Sequence, residues 1–290
     1  MFEKSSIMVL LDNNEKIEIF KLETSRKAQM AICSKYAEGF VRMSQEKERI
    51  EFDGNYKPEV DETLFIDNYK IEQDIVEAVK KPSSIRAFEP TIENQNRIKV
   101  IFTGEVKAGK VNIVFQRFKK EQYISNRGVN LFFDKKTFVE DTRFGICISD
   151  EIDCIYSEGN LLFSSYYMAR QVFDLKEYYR TATDDEVEDF TKLKKIKFDD
   201  TDIFCRQADS HVRKKIASIM DSKVLEKYPA KEIKRIGENT GVSILVKGNK
   251  IVIPKEKKQM KILLGFLDEE VYKGVFSNDT YIANSKRNIK

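Results

Sequence analysis

Histidine, tryptophan and paired cysteines are scarce in this chain, and their scarcity excludes several classes of protein. The 290 residues contain one histidine, no tryptophan and four cysteines, none of which forms a CxxC pair. Zinc centres need clustered histidines and cysteines, and secreted disulfide frameworks need regularly spaced cysteines, so we expect neither. No apolar run approaches the roughly 20 residues of a membrane span, and Ile7–Leu11 is too short for a signal core. We therefore expect a cytoplasmic protein that reaches the inner face of a membrane only through a partner.

A phosphate-binding loop is suggested by one stretch and excluded by the residues after it. Gly104–Lys110 reads GEVKAGK, which has the glycine and lysine spacing of such a loop. The next residue, Val111, has no hydroxyl for magnesium, and the following pattern is a strand, so no helix N-terminus faces the phosphate. We interpret the stretch as a Gly-Lys hairpin turn.

Two other groups of reactive side chains lack the partners that chemistry requires. Cys205 and His211 lie six positions apart with no third ligand or orienting residue nearby, so we expect a core cysteine and a surface histidine. Asp150, Glu151 and Asp153 share a short strand and turn, whereas two-metal catalysis needs carboxylates from several elements, so we expect these acids to face solvent. The sequence predicts no catalytic residues, no metal and no cofactor.

Hydrophobic periodicity predicts an α+β protein with an antiparallel β-meander in its N-terminal half. Strands are predicted on both sides of a turn at Asn13-Asn14, and a helix over 27–44 follows. Residues 97–102 and 111–118 alternate about a turn over 104–109. The meander is predicted to continue through a turn at Asn126-Arg127-Gly128 and through 137–148.

The stretch 145–175 is where the pattern changes from strands to helices. It contains a predicted strand over 146–155, a turn at Ser157–Asn160 and a second strand over 161–167. From Met168 the apolar spacing is helical. We predict a β-rich N-terminal region, 1–167, and a mixed helical, basic C-terminal region with a β-hairpin, 168–290, packed as one unit.

Charge is distributed unevenly along the chain. The net charge is only +3, but residues 192–261 contain 19 Lys and Arg against 9 Asp and Glu, a net +10, which leaves −7 for the remainder. A local excess of cations attracts polyanions, although a solvated lysine-rich surface is the alternative.

The cations predicted to contact DNA lie on two helices and one hairpin of this basic block. On the predicted helix 209–221 the buried stripe centres on Val212, so Arg213 and Lys214 are expected to point outward and Lys215 to lie at the boundary. Arg206 is expected to point outward as well if this helix begins earlier. No base-reading motif is present, so binding should be largely independent of DNA sequence and should weaken steeply with salt. The full set of predicted DNA-binding residues is Arg206, Arg213, Lys214, Lys215, Lys231, Lys234, Arg235, Lys247 and Lys250.

Three stretches resemble the KwaB-like family of the Kiwa anti-phage defence system. They read DEIDCIYSEGNLLFSSYYMARQVFDL from Asp150, SILVKGNKIVIPKEKKQMKILLGFLDEEVYKGVFSNDTYIANSKR from Ser243, and DETLFIDNY from Asp61. The shared pattern is structural: a strand, a turn, a short strand and an aromatic helix, and then a hairpin leading to a Leu-Leu-Gly-Phe-Leu helix.

The resemblance implies a function that the residues alone do not. It implies a bacterial homodimer that binds DNA, works with the membrane protein KwaA of the same system, and impedes phage DNA replication or late transcription. It supplies no catalytic motif and no DNA-contact residues. Two alternatives stay open, namely a scaffold or adaptor that docks a membrane sensor and a metal-dependent nuclease.

Overall fold

The computed structural model describes residues 1–12, 17–124, 129–141, 143–283 and 285–287 of the chain. It divides into two compact units: unit 1 comprises Met1–Phe52 and Pro58–Leu175, and unit 2 comprises Asp53–Lys57 and Lys176–Lys290. These units differ from the predicted regions 1–167 and 168–290 at the boundary, which follows Leu175, and in the short segment 53–57. The predicted turns at Asn13-Asn14 and Asn126-Arg127-Gly128 lie outside the described residues.

Unit 1 is built from strands with a few helices. Its strands are β1 (Ile7–Asp12), β2 (Ile17–Leu22), β3 (Glu48–Glu51), β4 (Glu62–Ile66), β5 (Ile98–Lys107), β6 (Lys110–Arg117), β7 (Tyr123–Ile124), β8 (Leu131–Asp134), β9 (Thr137–Glu140), β10 (Gly145–Ile146), β11 (Cys154–Ser157) and β12 (Asn160–Phe163). Its helices are α1 (Arg26–Ser44), α2 (Gln73–Lys80), α3 (Ile92–Arg97) and α4 (Tyr166–Val172).

Eight of these strands form one sheet in the order β2-β1-β5-β6-β11-β12-β4-β3. Neighbouring strands are antiparallel except for β3 and β4, which are parallel. The sheet is covered on both faces. Tyr36 and Phe40 of α1 pack on Val114, whereas Val79 of α2 lies over Gly104 on the opposite face, where any Cβ would stand 2.8 Å from that valine. The predicted α+β class and the antiparallel N-terminal sheet are confirmed.

The predicted continuous meander is wrong in two places. Strands β7 and β10 form a separate pair, and β8 and β9 form a separate hairpin. The turn between β5 and β6 is also tighter than predicted, because only Ala108 and Gly109 separate the strands.

Side-chain hydrogen bonds replace the strand that was predicted over 146–155. The amide of Gln116 donates to the carbonyl oxygen of Ser149, at 3.0 Å, and to that of Glu151. The amide of Gln122 donates to the carbonyl oxygen of Cys147 at 2.8 Å. These glutamine contacts satisfy backbone acceptors that a sheet would otherwise pair, so the chain crosses from β10 to β11 without strand structure.

Unit 2 is mainly helical. Its helices are α5 (Asp184–Thr191), α6 (Thr201–Gln207), α7 (Ser210–Ser222), α8 (Val224–Lys227), α9 (Ala230–Thr240) and α10 (Lys257–Leu267), and its strands are β13 (Ile196–Phe198), β14 (Val246–Lys247), β15 (Lys250–Ile253), β16 (Val271–Lys273) and β17 (Thr280–Ile282). Val212 and Ile216 of α7, Ile233 of α9 and Leu264 of α10 meet in its core. The predicted helix 209–221, the second cation-bearing helix of the basic block and its β-hairpin are confirmed.

Segment 53–57 is held to the rest of unit 2 by polar contacts. The ammonium of Lys214 donates to the carbonyl oxygen of Gly54. The backbone N–H of Lys57 donates to Ser285 Oγ at 2.9 Å, and that of Lys286 donates to the carbonyl oxygen of Asn55 at 3.2 Å. No local pattern in the sequence signals these long-range contacts.

Candidate nucleic-acid interface

The cations of α7 form hydrogen bonds and ion pairs with other residues of unit 2. The guanidinium of Arg213 donates to the carbonyl oxygens of Ala208 and Ala182, at 3.0 and 3.1 Å, and to Asp184 Oδ1 at 2.5 Å. Lys214 is half-buried, and its Nζ lies 5.0 Å from the centre of the Tyr179 ring in addition to its bond with Gly54. Burial lowers the pKa of Lys214, against the opposing effect of nearby carboxylates. The prediction that Arg213 and Lys214 point outward is therefore wrong, because residues distant in sequence pack over that face.

Lys215 forms an ion pair with Glu270 that is nearly enclosed. The two side chains are only 13% and 17% exposed. Gly265 of α10 leaves room for the pair, because a Cβ there would lie 3.1 Å from Glu270 Oε2 and 3.6 Å from Lys215 Nζ. Beside it, the buried Asp268 accepts hydrogen bonds from Ser218 Oγ and from Lys286 Nζ, the latter at 3.2 Å. Lys215 belongs to this internal network.

The cations of α9 lie on the surface. Ala230, Ile233 and Gly237 turn into the core, which leaves Lys231, Lys234 and Arg235 exposed on the other side of the helix. Lys234 Nζ lies 3.6 Å from Glu238 Oε1, and Arg235 Nη2 lies 3.8 Å from Glu232 Oε1, both loose pairs between exposed side chains. Lys231 has no carboxylate within ion-pair distance among the described residues. These side chains remain available to an anionic ligand at small cost.

The tip of the β14–β15 hairpin adds two further exposed lysines. Lys247 and Lys250 are directly paired across the hairpin on either side of Gly248-Asn249. Strand β14 packs against α9. Arg206 is exposed on α6, where its Nε donates to the carbonyl oxygen of Asp202 at 3.3 Å. Of the nine predicted cations, the structure therefore leaves six on the surface and places three in internal contacts.

Further exposed lysines of the basic block were not singled out by sequence reasoning. Their side chains, like that of Lys231, lack carboxylate partners among the described residues. They are Lys194, Lys197, Lys223, Lys227, Lys255 and Lys258. Their presence could have been inferred from the net charge of residues 192–261, but not their individual positions on the surface.

The remaining expectations concern His211, Cys205 and three acidic residues, and they are met only in part. His211 is exposed, as predicted, but Cys205 is also exposed and not in the core. Asp150 and Glu151 face solvent. Asp153 does so only in part, since it is half-buried with one carboxylate oxygen 2.6 Å from the N–H of Arg117, and burial raises its pKa.

Neither a metal cluster nor a membrane-spanning helix is found in the described part of the chain. Three or more His, Cys, Asp or Glu side chains do not converge there in a way that could hold a metal ion. Among those same residues, no helix combines the length and the apolar character needed to cross a bilayer.

These features define an α+β protein with a large mixed sheet and a lysine-rich helical unit. The model of the family described as Kiwa protein KwaB-like matches residues 102–276, which is more than half of the chain. The chain therefore belongs to the Kiwa KwaB-like family, as the resemblance predicted, and this membership assigns it to Kiwa anti-phage defence. No curated protein and no solved structure matches the chain.

Proposed function

We propose that this protein is a non-catalytic effector of anti-phage defence that binds DNA largely without regard to sequence. Family membership supports the defence role. The observation that carries DNA binding is the exposed basic face of α9, formed by Lys231, Lys234 and Arg235, together with Lys247 and Lys250 on the hairpin beside it. Exposed cations with weak or absent internal partners can exchange their counterions for phosphates, and this exchange favours binding.

The same proposal includes the partners that the family resemblance implies. The protein would act as a homodimer at the inner face of the membrane, through the membrane protein KwaA, and would impede phage DNA replication or late transcription. A scaffold that docks a membrane sensor is the competing function, and it predicts no dependence of DNA binding on the α9 cations.

Charge reversal on α9 tests DNA binding without disturbing the internal network. The variant K231E/K234E/R235E should bind duplex DNA at least about tenfold more weakly than the unmodified chain at low salt. Its plot of log affinity against log salt concentration should be less steep by roughly one unit for each phosphate that the variant no longer binds. Fluorescence anisotropy with a labelled duplex over a salt series measures both quantities.

A second triple variant controls for the change in net charge. R26E/K27E/K35E alters three exposed cations of α1 in unit 1 and removes the same total charge. It should keep the affinity of the unmodified chain. Equal losses in both variants, or no loss in either, would reject the assignment to α9.

Incubation with plasmid separates a binder from a nuclease. With Mg²⁺ or Mn²⁺ present, supercoiled plasmid should remain intact. Nicking that is abolished by chelation would contradict the non-catalytic proposal.

A further inference from the structure

The hairpin β8–β9 exposes apolar side chains on both of its faces. Every residue of the two strands is exposed. Phe133 and Phe138 are 66% and 64% exposed, with ring centres 5.2 Å apart. On the opposite face Phe132 pairs with Val139, and both side chains are exposed. An isolated two-stranded hairpin is marginally stable in water, so a covering partner would stabilise it.

The hairpin also offers two outer edges that pair with no other described strand. The N–H of Asp141 donates to the carbonyl oxygen of Asn130 at 2.9 Å. Hydrogen-bonded and non-hydrogen-bonded pairs alternate along an antiparallel ladder, so the pair Phe133–Phe138 is a non-hydrogen-bonded one. The backbone groups of Phe138 and Glu140 therefore point outward from β9 and can accept a further strand.

The charges of the hairpin favour, as its partner, a second copy of the same strand that runs in the opposite direction. Lys135 and Lys136 form the tip, whereas Glu140 lies at the base, and none of these side chains has an ion-pair partner among the described residues. When two β9 strands pair antiparallel with Phe138 opposite its own copy, Glu140 of each chain lies beside the turn of the other, next to Lys136, the residue that precedes β9. The strand and its adjoining turn are thus self-complementary in backbone, aromatic contact and charge.

Pairing through the other edge lacks this complementarity. With Phe133 of β8 opposite its own copy, Lys135 would lie opposite Leu131 of the second copy.

The same hairpin is poorly suited to bind nucleic acid or to enter a membrane, because residues 129–143 carry three cations and three acids. Inserting its lysine tip into hydrocarbon would also be costly.

We propose that β9 pairs antiparallel with β9 of a second copy of this chain, with Phe138 on the two-fold axis, to form a continuous four-stranded sheet. The inference rests on the self-association included in the proposed function, and it adds the surface and the register. A symmetric pairing of this kind uses the same surface on both copies and closes at two chains.

Cysteine cross-linking tests the register. The background C147S/C205S removes the two exposed cysteines. In this background F138C should form a disulfide-linked dimer on mild oxidation, because directly opposed residues of a hydrogen-bonded pair have Cα atoms about 5.5 Å apart, within disulfide range. F133C is the matched control, with nearly the same exposure and on the same face. In the proposed dimer the Cα atoms of residue 133 in the two copies would lie about 14 Å apart, because three strand spacings separate them. This distance is outside disulfide range, so the F133C variant should remain a monomer on a non-reducing gel.

Charge exchange tests the interface without cysteines. K136E and E140K should each weaken the dimer at least about tenfold, because each places like charges beside one another twice in the dimer. The double variant K136E/E140K should restore the dissociation constant of the unmodified chain. Sedimentation equilibrium over a concentration series measures all four proteins.

The outcomes distinguish the surface from self-association itself. Cross-linking of F133C but not F138C would overturn the β9 register in favour of the β8 edge. A dimer that is indifferent to all these substitutions would reject the surface while leaving self-association intact. A chain that stays monomeric at every concentration would reject both, and DNA binding by that monomer would leave the DNA-binding proposal standing.

Discussion

Helices α7 and α9 each carry three predicted DNA-binding cations, yet these cations make different contacts in the structure. Arg213, Lys214 and Lys215 of α7 donate to backbone carbonyls or carboxylates within unit 2. The cations of α9 have only loose pairs on the surface, and Lys231 has none among the described residues. A helical pattern identifies the side that faces the core, but distant residues decide whether the other side stays open. Only the open cations can serve a ligand without loss of stability.

The largest expected difference between the two helices concerns Lys215. K215A should lower the free energy of unfolding by about 3 kcal/mol, because it leaves the carboxylate of Glu270 nearly enclosed without its partner. K231A, at an exposed site on α9, should stay within about 0.5 kcal/mol of the unmodified chain. Urea denaturation followed by circular dichroism measures both.

The origin of this loss can be tested with a double substitution. K215M/E270L removes both charges and should recover most of the stability, since buried pairs are often replaceable by apolar residues of similar volume. An unfolding midpoint for K215A equal to that of the unmodified chain would show that the pair has no structural role.

Lys214 should give the next largest effect. K214A removes the hydrogen bond to Gly54 and the contact with the Tyr179 ring, and should cost about 1–2 kcal/mol. Amide hydrogen exchange within 53–57 should accelerate, because this contact helps to hold the segment in unit 2. K234A on α9 is the control and should leave exchange there unchanged. If K214A also left it unchanged, the lysine would not be what holds the segment.

The elements could be predicted from the sequence because their signals are local. Asp209 caps α7 through the N–H of Val212, and Pro229 and Gly241 bound α9, so these helices follow from residues at their own ends. The strands β5 and β6 follow from alternation. The long-range pairings, such as β3 beside β4 or β13 parallel to β15, have no comparable local signal.

The prediction of the site was limited in the same way, because it could use local signals but not long-range contacts. Helical periodicity and hairpin position alone could identify five of the six exposed cations. The sixth, Arg206, lies on the separate helix α6 and not on an extension of α7. The fate of Lys214 depends on Gly54, 160 positions away, and that of Lys215 on Glu270, 55 positions away. Contacts between residues so far apart in sequence produce no local pattern. The sequence therefore could not show which cations contact other residues of the fold and which remain open to a ligand.

The smallest expected effect concerns Arg180, a cation used inside the fold but partly exposed. Its guanidinium donates to both carboxylate oxygens of Glu186, at 2.6 and 2.8 Å, and to Asp221 at 3.2 Å. These bonds from Arg180, with help from the N–H of Thr183, lower the pKa of Glu186 to about 2. A carboxylate with a depressed folded-state pKa stabilises the fold above its unfolded pKa of about 4.3, and the contribution is lost as pH falls towards the folded value.

The variant E186Q therefore measures how much a partly exposed internal cation contributes. Glutamine can still accept from Thr183, so the substitution removes the charge and leaves the cap. At pH 7 the unmodified chain should be more stable than E186Q by less than about 1 kcal/mol, because solvent screens the pair. Chemical denaturation at several pH values should show this difference shrinking between about pH 4.5 and pH 2.

The control variant is E188Q, which removes the exposed partner of Lys192 on the same helix. It should show a smaller difference in stability at every pH. Equal effects from the two variants would mean that a cation bound within the fold is worth no more than one on the surface, and the contrast between α7 and α9 would then depend on burial alone.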